Sequence, residues 1–122
     1  MYIKVKNKKI PIYLKSTFKE KFKSLKFKLE KIDFGICFIK KRIISTYFFC
    51  QPVDIIITDK NNKILKMFKG VSSERFYRGP KKSYFSYILP QNTSDYFNID
   101  DYFDITLSKD DEAIINKTKK DN

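Results

Sequence analysis

The sequence predicts a mainly β protein of the α+β class, a small antiparallel β barrel or sandwich with one short helix near residues 17–26. Two observations lead to this fold class. Apolar or alternating runs of about five residues recur along most of the chain, separated by turn-forming Asn, Gly, Pro and Ser. Residues 17–26 instead carry apolar side chains at helical spacing. The 122 residues fit one domain, which we place at residues 3–107.

The first two strands are predicted at residues 3–6 and 10–14. Residues 3–6 alternate apolar and charged side chains, which is typical of a half-buried strand. Residues 7–9 form the turn between the two strands. Pro11 has no N–H to give to a neighbouring strand, so it indicates an edge strand or the start of a strand.

The predicted helix begins with a capping box, in which the side chains of Thr17 and Glu20 satisfy backbone N–H groups of the first turn. Phe18, Phe22 and Leu25 follow at positions i, i+4 and i+7, on one face of the helix. We expect this apolar face to cover an open side of the sheet.

Further strands are predicted at 35–39, 43–49, 54–59, 64–68, 83–89 and 103–107. The strand at 54–59 contains three consecutive isoleucines, so we expect it at the centre of the sheet. Residues 70–82 are rich in Gly, Ser, Arg and Pro and are predicted to be a loop. From residue 108 to residue 122 the chain is highly charged, and we expect a flexible tail or one weak helix.

Residues 54–59 and 63–68 are predicted to pair antiparallel as a hairpin. Asn61 and Asn62, between them, tolerate a positive φ, which a two-residue turn of type I′ requires at both central positions. Asp59 is placed to form an Asx turn with the following backbone. The structural turn is therefore assigned to Asp59, Asn61 and Asn62.

The net charge of +12 is unevenly distributed. Residues 1–42 carry 14 basic and 3 acidic groups, whereas residues 83–122 carry 4 basic and 8 acidic groups. Such a basic segment favours an anionic partner such as RNA, DNA or a membrane surface. However, 23 of the 26 basic residues are Lys, and nucleic-acid recognition more often uses the planar fork of Arg. An ordinary solvated lysine surface is therefore the favoured interpretation, and the partner stays open between a polyanion and a protein.

The chain begins without an apolar signal sequence, and its apolar runs are far shorter than the roughly 18 residues needed to cross a bilayer. We therefore expect a cytoplasmic protein with no membrane span. Cys37 and Cys50 do not make a disulfide framework, and both are predicted to be small buried apolar residues.

The chain contains no histidine, which excludes Ser-His-Asp and Cys-His catalysis and the common zinc sites. Two cysteines without histidine make a poor metal site, and none of the three glycines belongs to a phosphate-binding loop. Asp100, Asp101 and Asp104 form an acidic cluster that lacks the glycine and the spacing of an EF-hand. We therefore expect no metal and no cofactor, and we assign no catalytic residue.

Asp54 is the residue singled out as a candidate site. It precedes three isoleucines, so its carboxylate lies at the boundary of the core and must be solvated, hydrogen-bonded or paired. Backbone amides after Pro52 would make it a structural brace, whereas Arg75 or Arg78 would make it half of an ion pair. An open cleft would make it a ligand contact or a general base. The brace or ion pair is the favoured interpretation.

The block at residues 46–64 resembles the bacterial and archaeal family known as domain of unknown function 192. The shared pattern is a Thr, aromatic residues, Pro-apolar-Asp, an apolar strand, an Asp, a turn and a second strand. Thr46, Pro52, Asp54 and Asp59 match this pattern position by position. The flanking segments agree in order, so the resemblance covers roughly residues 3–107.

The chain departs from the pattern of that family at four positions. Ser24 replaces a Gly, Phe49 a Met and Ile88 a Glu, and Asp100 replaces another Gly. If the family's Glu and Asp54 form a site, the change at position 88 implies that this site is altered or inactive here. The family has no established activity, so the resemblance implies a fold more than a function.

Three functions are compatible with these features. The first is a non-enzymatic binding or accessory module with a ligand site near Thr46, Pro52, Asp54, Arg75 and Arg78. The second is binding of RNA or another polyanion through the Lys-rich first 42 residues. The third is an enzyme that uses Asp54 with Tyr or Lys partners. A concave pocket containing Asp54 would favour the first or third, whereas a basic face interleaved with exposed aromatic rings would favour the second.

Overall fold

The apolar runs of the sequence form short strands, and a helix follows the last of them. The computed structural model describes residues 1–15, Lys23, 31–46 and 49–120. In these ranges the strands are β1 (Tyr2–Val5), β2 (Lys8–Leu14), β3 (Gly35–Ile39), β4 (Ile43–Ser45), β5 (Val53–Thr58), β6 (Ile64–Val71), β7 (Phe76–Arg78), β8 (Phe85–Pro90) and β9 (Ile105–Thr106). A 3-10 helix, Thr93–Tyr96, follows β8, and helix α1, Lys109–Lys120, follows β9.

The helix predicted at residues 17–26 lies outside the described residues except for Lys23, which has helical backbone and an exposed side chain. None of the helices in the described ranges has the length and apolar character needed to cross a membrane.

Seven of these strands form one curled sheet shaped like half a barrel, in the order β6-β5-β8-β3-β2-β1-β9. Neighbouring strands are antiparallel except for β2 and β3, which run parallel. Strands β4 and β7 pair separately as a small antiparallel sheet. This architecture confirms the predicted mainly β fold of the barrel or sandwich type.

Strand β5 lies at the centre of the large sheet, between β6 and β8, as its isoleucines predict. All six of its residues are buried. Ile55 and Ile57 belong to the apolar core on one face of the sheet, and Ile56 belongs to the core on the other face. Because both faces are covered, the strand is a continuous apolar run rather than an alternation of apolar and polar residues.

Different elements cover the two faces of the large sheet. On the face of Ile55, the core includes Ile44 of β4, and Tyr77 of β7 packs against it. On the face of Ile56, the core includes Ile115 of α1. The small sheet and α1 therefore supply the outer layers on opposite faces of the large sheet.

The predicted hairpin of β5 and β6 is confirmed, but its turn is of another type. Within residues 59–63 only Asn62 has a positive φ, of 66°, whereas a type I′ turn requires two such residues. The N–H of Asn62 donates to the carbonyl of Asp59 at 3.1 Å, which closes an ordinary turn followed by one left-handed residue. The predicted Asx turn is confirmed, because Asp59 Oδ1 accepts from the N–H groups of Asn61 at 2.8 Å and Lys63 at 3.0 Å.

Strand β2 is not at the edge of the sheet, contrary to one of the expectations from Pro11. It pairs with β1 over residues 8–11 and with β3 over residues 12–14, so each part has one neighbouring strand. Pro11 therefore lies in a segment that has a neighbouring strand on one side only, so its missing N–H leaves no hydrogen bond unmade. Strand β7 lies inside the predicted loop 70–82, and its three residues are too few to show a strand period.

The charged segment that begins at residue 108, expected to be a flexible tail or a weak helix, forms α1 and packs onto the core. The hydroxyl of Ser108 caps the helix by accepting from the N–H of Asp111 at 3.2 Å. Acidic residues occupy the first turn and lysines the last, which complements the helix dipole. Ile115 is only 5% exposed, and the α-amino group of Met1 donates to Asp111 Oδ2 at 2.7 Å. Helix α1 is therefore an integral part of the fold.

The two cysteines differ in environment. Cys37, on the central part of the large sheet, is buried as predicted, but Cys50 is exposed, so the prediction for Cys50 is wrong. Cys50 follows β4 in a bend outside any strand, where its side chain is exposed. Neither cysteine forms a disulfide.

Candidate functional site

Asp54 lies inside the fold rather than at the boundary of the core, and it braces the fold through donors other than the backbone amides after Pro52 that were expected. Its side chain is fully buried. One carboxylate oxygen accepts from the N–H of Gly70 at 2.8 Å. The other accepts from the N–H of Ser94 at 2.9 Å and from the Ser94 hydroxyl at 2.7 Å. Asp54 of β5 thereby joins β6 to the 3-10 helix Thr93–Tyr96.

The backbone at Gly70 is shaped to reach this carboxylate. Gly70 has a φ of +56°, a left-handed conformation that glycine adopts without strain. The pairing of β5 and β6 shifts register between Val53 and Ile55. Because of this irregularity, the Gly70 N–H donates to the Asp54 side chain instead of to the backbone of β5. Three hydrogen-bond donors satisfy the buried carboxylate and offset the cost of its burial. Among the described residues, neither Arg75 nor Arg78 forms an ion pair with it.

The other predicted site residues lie apart from Asp54's carboxylate. Thr46 is buried, and its hydroxyl donates to the carbonyl of Ser72 at 2.7 Å and accepts from the N–H of Arg75 at 3.1 Å. Thr46 thus holds the loop after β6 against the end of β4. Pro52, Arg75 and Arg78 are exposed. The ligand-binding role of this set therefore stays a prediction.

Among the described residues, a groove of about 830 Å³ involves none of these side chains. It lies between the β1–β2 turn, the segment before β3, and the end of β8 with the 3-10 helix. We call it the lysine groove; its lining residues are Val5, Lys6, Asn7, Lys8, Lys9, Ile10, Lys31, Ile32, Asp33, Pro90, Gln91, Asn92, Thr93 and Tyr96.

The rim of the lysine groove is strongly basic. Among the described lining residues, all four lysines have exposed side chains and Asp33 is the one carboxylate. By contrast, Val5, Ile32 and Thr93 are buried and form its floor. A basic rim over a largely apolar floor favours a ligand that has both anionic groups and flat or apolar surface.

Aromatic rings are interleaved with the lysines at this surface. Tyr96 is 48% exposed, and Lys6 Nζ lies 5.5 Å from the centroid of its ring. Next to the groove, Lys9 Nζ lies 4.7 Å from the centroid of the Tyr2 ring. Cations held over aromatic faces at these distances are weakly attracted to them, which keeps the lysine side chains close to the groove.

The Asp54 brace holds one wall of the lysine groove. The 3-10 helix that Asp54 binds through Ser94 also carries Thr93 and Tyr96 of that wall. The hydroxyl of Thr93 donates to the carbonyl of Pro90 at 2.7 Å, and Lys69 of β6 pairs with Asp95. This ion pair raises the pKa of Lys69 through its hydrogen bond to Asp95. Contacts on several sides of the 3-10 helix therefore fix the position of Tyr96.

A smaller groove, of about 400 Å³, lies beside the β5–β6 turn. Its lysines are Lys60, Lys81 and Lys82, and the Asp59 carboxylate at its edge is already used by the Asx turn. Tyr84, its one aromatic residue, is only 7% exposed and leaves little ring surface for a ligand. This groove is therefore a weaker candidate than the lysine groove.

Cys37 and Tyr87 are titratable groups buried in the part of the chain that the structure describes. Burial raises the pKa of the Cys37 thiol far above its ordinary value, and burial also raises the pKa of the Tyr87 hydroxyl. Both groups are therefore neutral at physiological pH and lie in the core rather than on a groove. In the described ranges no three His, Cys, Asp or Glu side chains come together as a metal site.

The sequence points only indirectly to the lysine groove. Its main signal is the excess of lysine in residues 1–42, which supplies all four lysines of the rim. Lys8 and Lys9 are predicted there only as part of a turn, and Tyr96 carries no local signal at all. The groove joins residues about 90 positions apart in the chain, so no local pattern could reveal it.

Comparison with known proteins finds solved structures with a fold similar to that of this chain. No family model matches the chain, and no curated protein matches it. One similar solved structure is a protein of unknown function from Novosphingobium aromaticivorans DSM 12444, with a TM-score of 0.56 and 12% identity over 77% of this chain and 74% of that one. Another is a candidate transcription regulator from Sinorhizobium meliloti 1021, with a TM-score of 0.56 and 10% identity over 84% and 85% of the two chains. At these identities the likeness shows the fold alone.

Proposed function

We propose that the protein is a non-enzymatic binding module that takes a polyanionic ligand in the lysine groove. The observation that carries this proposal is the convergence of Lys6, Lys8, Lys9 and Lys31 on one concave surface. Four cations against one carboxylate give the rim a net positive charge that attracts anions and raises their local concentration.

The environment of Asp54 favours binding over catalysis. A general base must reach a substrate proton, but the Asp54 carboxylate is fully buried and accepts three internal hydrogen bonds. Its carboxylate instead stabilises the wall that carries Tyr96. The proposed role of Asp54 is therefore that of a positioning residue for the groove.

The proposal includes a distant relationship to the family known as domain of unknown function 192. It is supported by the matching residues Thr46, Pro52, Asp54 and Asp59 and by the order of the strands around them. In this chain Ile88, at the position of the family's Glu, is 1% exposed and packs in the core. We also propose a cytoplasmic location, with which two cysteines that form no disulfide are consistent.

Titration with sodium tripolyphosphate, followed by two-dimensional ¹H–¹⁵N NMR, tests the proposed function. We expect the largest shifts at residues 6–9, 31–33 and 91–96. The double variant Lys8→Ala/Lys9→Ala should bind about tenfold more weakly, since each exposed charge pair contributes on the order of 0.7 kcal/mol. The matched control, Lys81→Ala/Lys82→Ala, removes the same charge from the smaller groove and should bind like the wild type.

Two results would contradict the proposed function. Equal weakening by the two double variants would mean that the protein responds only to net charge. Shifts centred on the exposed Arg75 and Arg78 rather than on the lysine groove would transfer the binding site to β7 and the preceding loop.

A further inference from the structure

We infer that the polyanion is single-stranded nucleic acid, with Tyr96 as the platform on which one base stacks. This inference rests on the proposed function, because it names the ligand class of the same groove. It adds a requirement that simple anion binding lacks, namely an exposed aromatic ring positioned among the lysines.

The floor and the rim of the groove match two different parts of a nucleotide. Exposed lysines line the rim, whereas the exposed Tyr96 and the half-buried Ile10 and Pro90 offer apolar surface above a buried floor. A single strand presents phosphates and unpaired bases together, so it can contact both parts. A duplex presents its phosphates but keeps its bases stacked inside, so it would contact the lysines and leave the floor empty. Inorganic polyphosphate likewise offers nothing to the apolar floor.

Tyr96 has the exposure and the support that a stacking platform needs. Tyr96 is 48% exposed, although it belongs to a helical turn that is held by several hydrogen bonds. Ser94 is bound to Asp54, and Asp95 is bound to Lys69, so the residues before Tyr96 are fixed on both sides. A platform that is already ordered loses little conformational entropy when a base stacks on it.

Lys6 links the stacking surface to the phosphate-binding rim. Its Nζ lies 5.5 Å from the centroid of the Tyr96 ring and also lines the groove. A base on the free part of the ring would bring its own phosphate within reach of this ammonium group. The neighbouring Lys8 and Lys9 would then meet the following phosphates of the strand.

The use of lysine rather than arginine at the rim predicts that the groove binds nucleic acid with little preference for base sequence. The rim has four lysines and no arginine, so it lacks the planar fork that reads guanine bidentately. Lysines neutralise phosphates as point charges, whatever the base. Asn7, Gln91 and Asn92 offer amide groups that can bond base edges, and they add at most a mild preference.

Fluorescence anisotropy with labelled oligonucleotides of about 12 residues tests the inference. The probes are oligo(U), oligo(dT) and a DNA duplex of the same length, each competed with tripolyphosphate. We expect both single strands to bind more tightly than the duplex, and the ratio of oligo(U) to oligo(dT) affinity identifies RNA or DNA as the ligand. Four phosphate contacts predict a slope of about −2.8 for log K against log salt concentration, reduced to about −1.4 in Lys8→Ala/Lys9→Ala.

Tyr96→Ala should weaken binding of the single strands about tenfold and weaken tripolyphosphate binding much less, because a base stacks on the ring whereas the anion depends on the ring only through the Lys6 side chain held over it. Tyr96→Phe keeps the ring and should restore single-strand binding. The matched control is Tyr102→Ala, which removes a tyrosine that is 66% exposed and lies outside the groove. Circular dichroism of each variant checks that it is folded.

The outcomes separate this inference from the proposed function. Equal loss in Tyr96→Ala and Tyr102→Ala, or duplex binding as tight as single-strand binding, would overturn the inference. If tripolyphosphate binds in the groove and oligonucleotides bind no better, the inference fails while the proposed function stands. If Lys8→Ala/Lys9→Ala changes neither interaction, both fail.

Discussion

At the scale of single residues, buried polar groups in this protein act by joining segments that are distant in sequence. Asp54 joins β5 to Gly70 and Ser94, and Thr46 joins the end of β4 to the loop after β6. Asn62 does the same at the β5–β6 turn, where its Oδ1 accepts from the hydroxyl of Tyr87 at 2.7 Å. Each of these side chains satisfies donors or acceptors that would otherwise be buried without a partner.

Asp54→Asn should lower the free energy of unfolding by about 1–3 kcal/mol, the usual loss when a charged acceptor is removed from buried donors. The new amide NH₂ would also face the donors of Gly70 or Ser94. Urea denaturation measures the change, and Asp104→Asn, at an exposed carboxylate, is the control. A variant as stable as the wild type would show that the brace contributes nothing and that the charge has another purpose.

Asn62→Gly should also destabilise the protein, by about 1–2 kcal/mol, although glycine accepts the positive φ of this position without strain. From the sequence alone we would expect a neutral or slightly stabilising change. The structure reverses the expected sign, because the substitution removes the acceptor of the buried Tyr87 hydroxyl.

A double-mutant cycle isolates this hydrogen bond. In a Tyr87→Phe background the donor is absent, so Asn62→Gly should cost markedly less than in the wild type. An equal cost in the two backgrounds would assign the role of Asn62 to its backbone rather than to its Oδ1.

At the scale of elements, α1 shows how a charged segment can still contribute to the core. Its first turn is acidic and its last turn is basic, and one face carries Ile114 and Ile115. Ile115 packs in the core that contains Ile56, so α1 covers one face of the large sheet. Without the helix, part of this core would be exposed to solvent.

Ile115→Ala should lower the free energy of unfolding by about 2–5 kcal/mol, as for other large-to-small changes in a core. Truncation after Ser108 should cost at least as much, because it also removes the contact of Asp111 with the α-amino group of Met1. Asn116→Ala, at the neighbouring exposed position, should change stability little. An unchanged melting temperature after truncation would mean that α1 does not pack on the sheet in solution.

At the scale of the whole molecule, the fold brings four lysines of the first third of the chain together in the lysine groove. Lys6 of the β1–β2 turn and Lys8 and Lys9 at the start of β2 share one groove with Lys31. Because like charges repel one another, this arrangement costs stability in the absence of a ligand. Such a cost is characteristic of binding surfaces, where a bound counter-charge relieves the repulsion.

Tripolyphosphate should therefore stabilise the protein. At a free concentration 100 times the Kd, linkage predicts a gain of about 2.7 kcal/mol in the free energy of unfolding. At the same concentration, Lys8→Ala/Lys9→Ala should gain only about 1.4 kcal/mol, if its affinity is about tenfold lower. Urea denaturation with and without the anion provides the measurement. Equal stabilisation of the two proteins would be evidence against the lysine groove as the anion site.

The strands could be predicted where their signal is local. The third strand, 35–39, is predicted with the observed bounds of Gly35–Ile39, and the central strand is displaced by one residue from Val53–Thr58. Their β-branched and aromatic side chains prefer extended backbone whatever the partner strand is. Strand β7 and the 3-10 helix could not be predicted. Elements of three or four residues are too short to show the repeat of apolar side chains by which strands and helices are recognised in a sequence.

The sequence by itself determined the fold class, the central strand, the Asx turn at Asp59 and the lysine excess, since each depends on composition or on residues close together in the chain. Only the tertiary structure decided what Asp54 does and where the lysines converge. The donors that make Asp54 a brace come from Gly70 and from Ser94, which lies 40 positions away. The lysine groove likewise needs the β1–β2 turn beside Tyr96. The function of a charged side chain depends on which groups the fold brings within hydrogen-bonding or ionic distance, and local sequence does not encode that proximity.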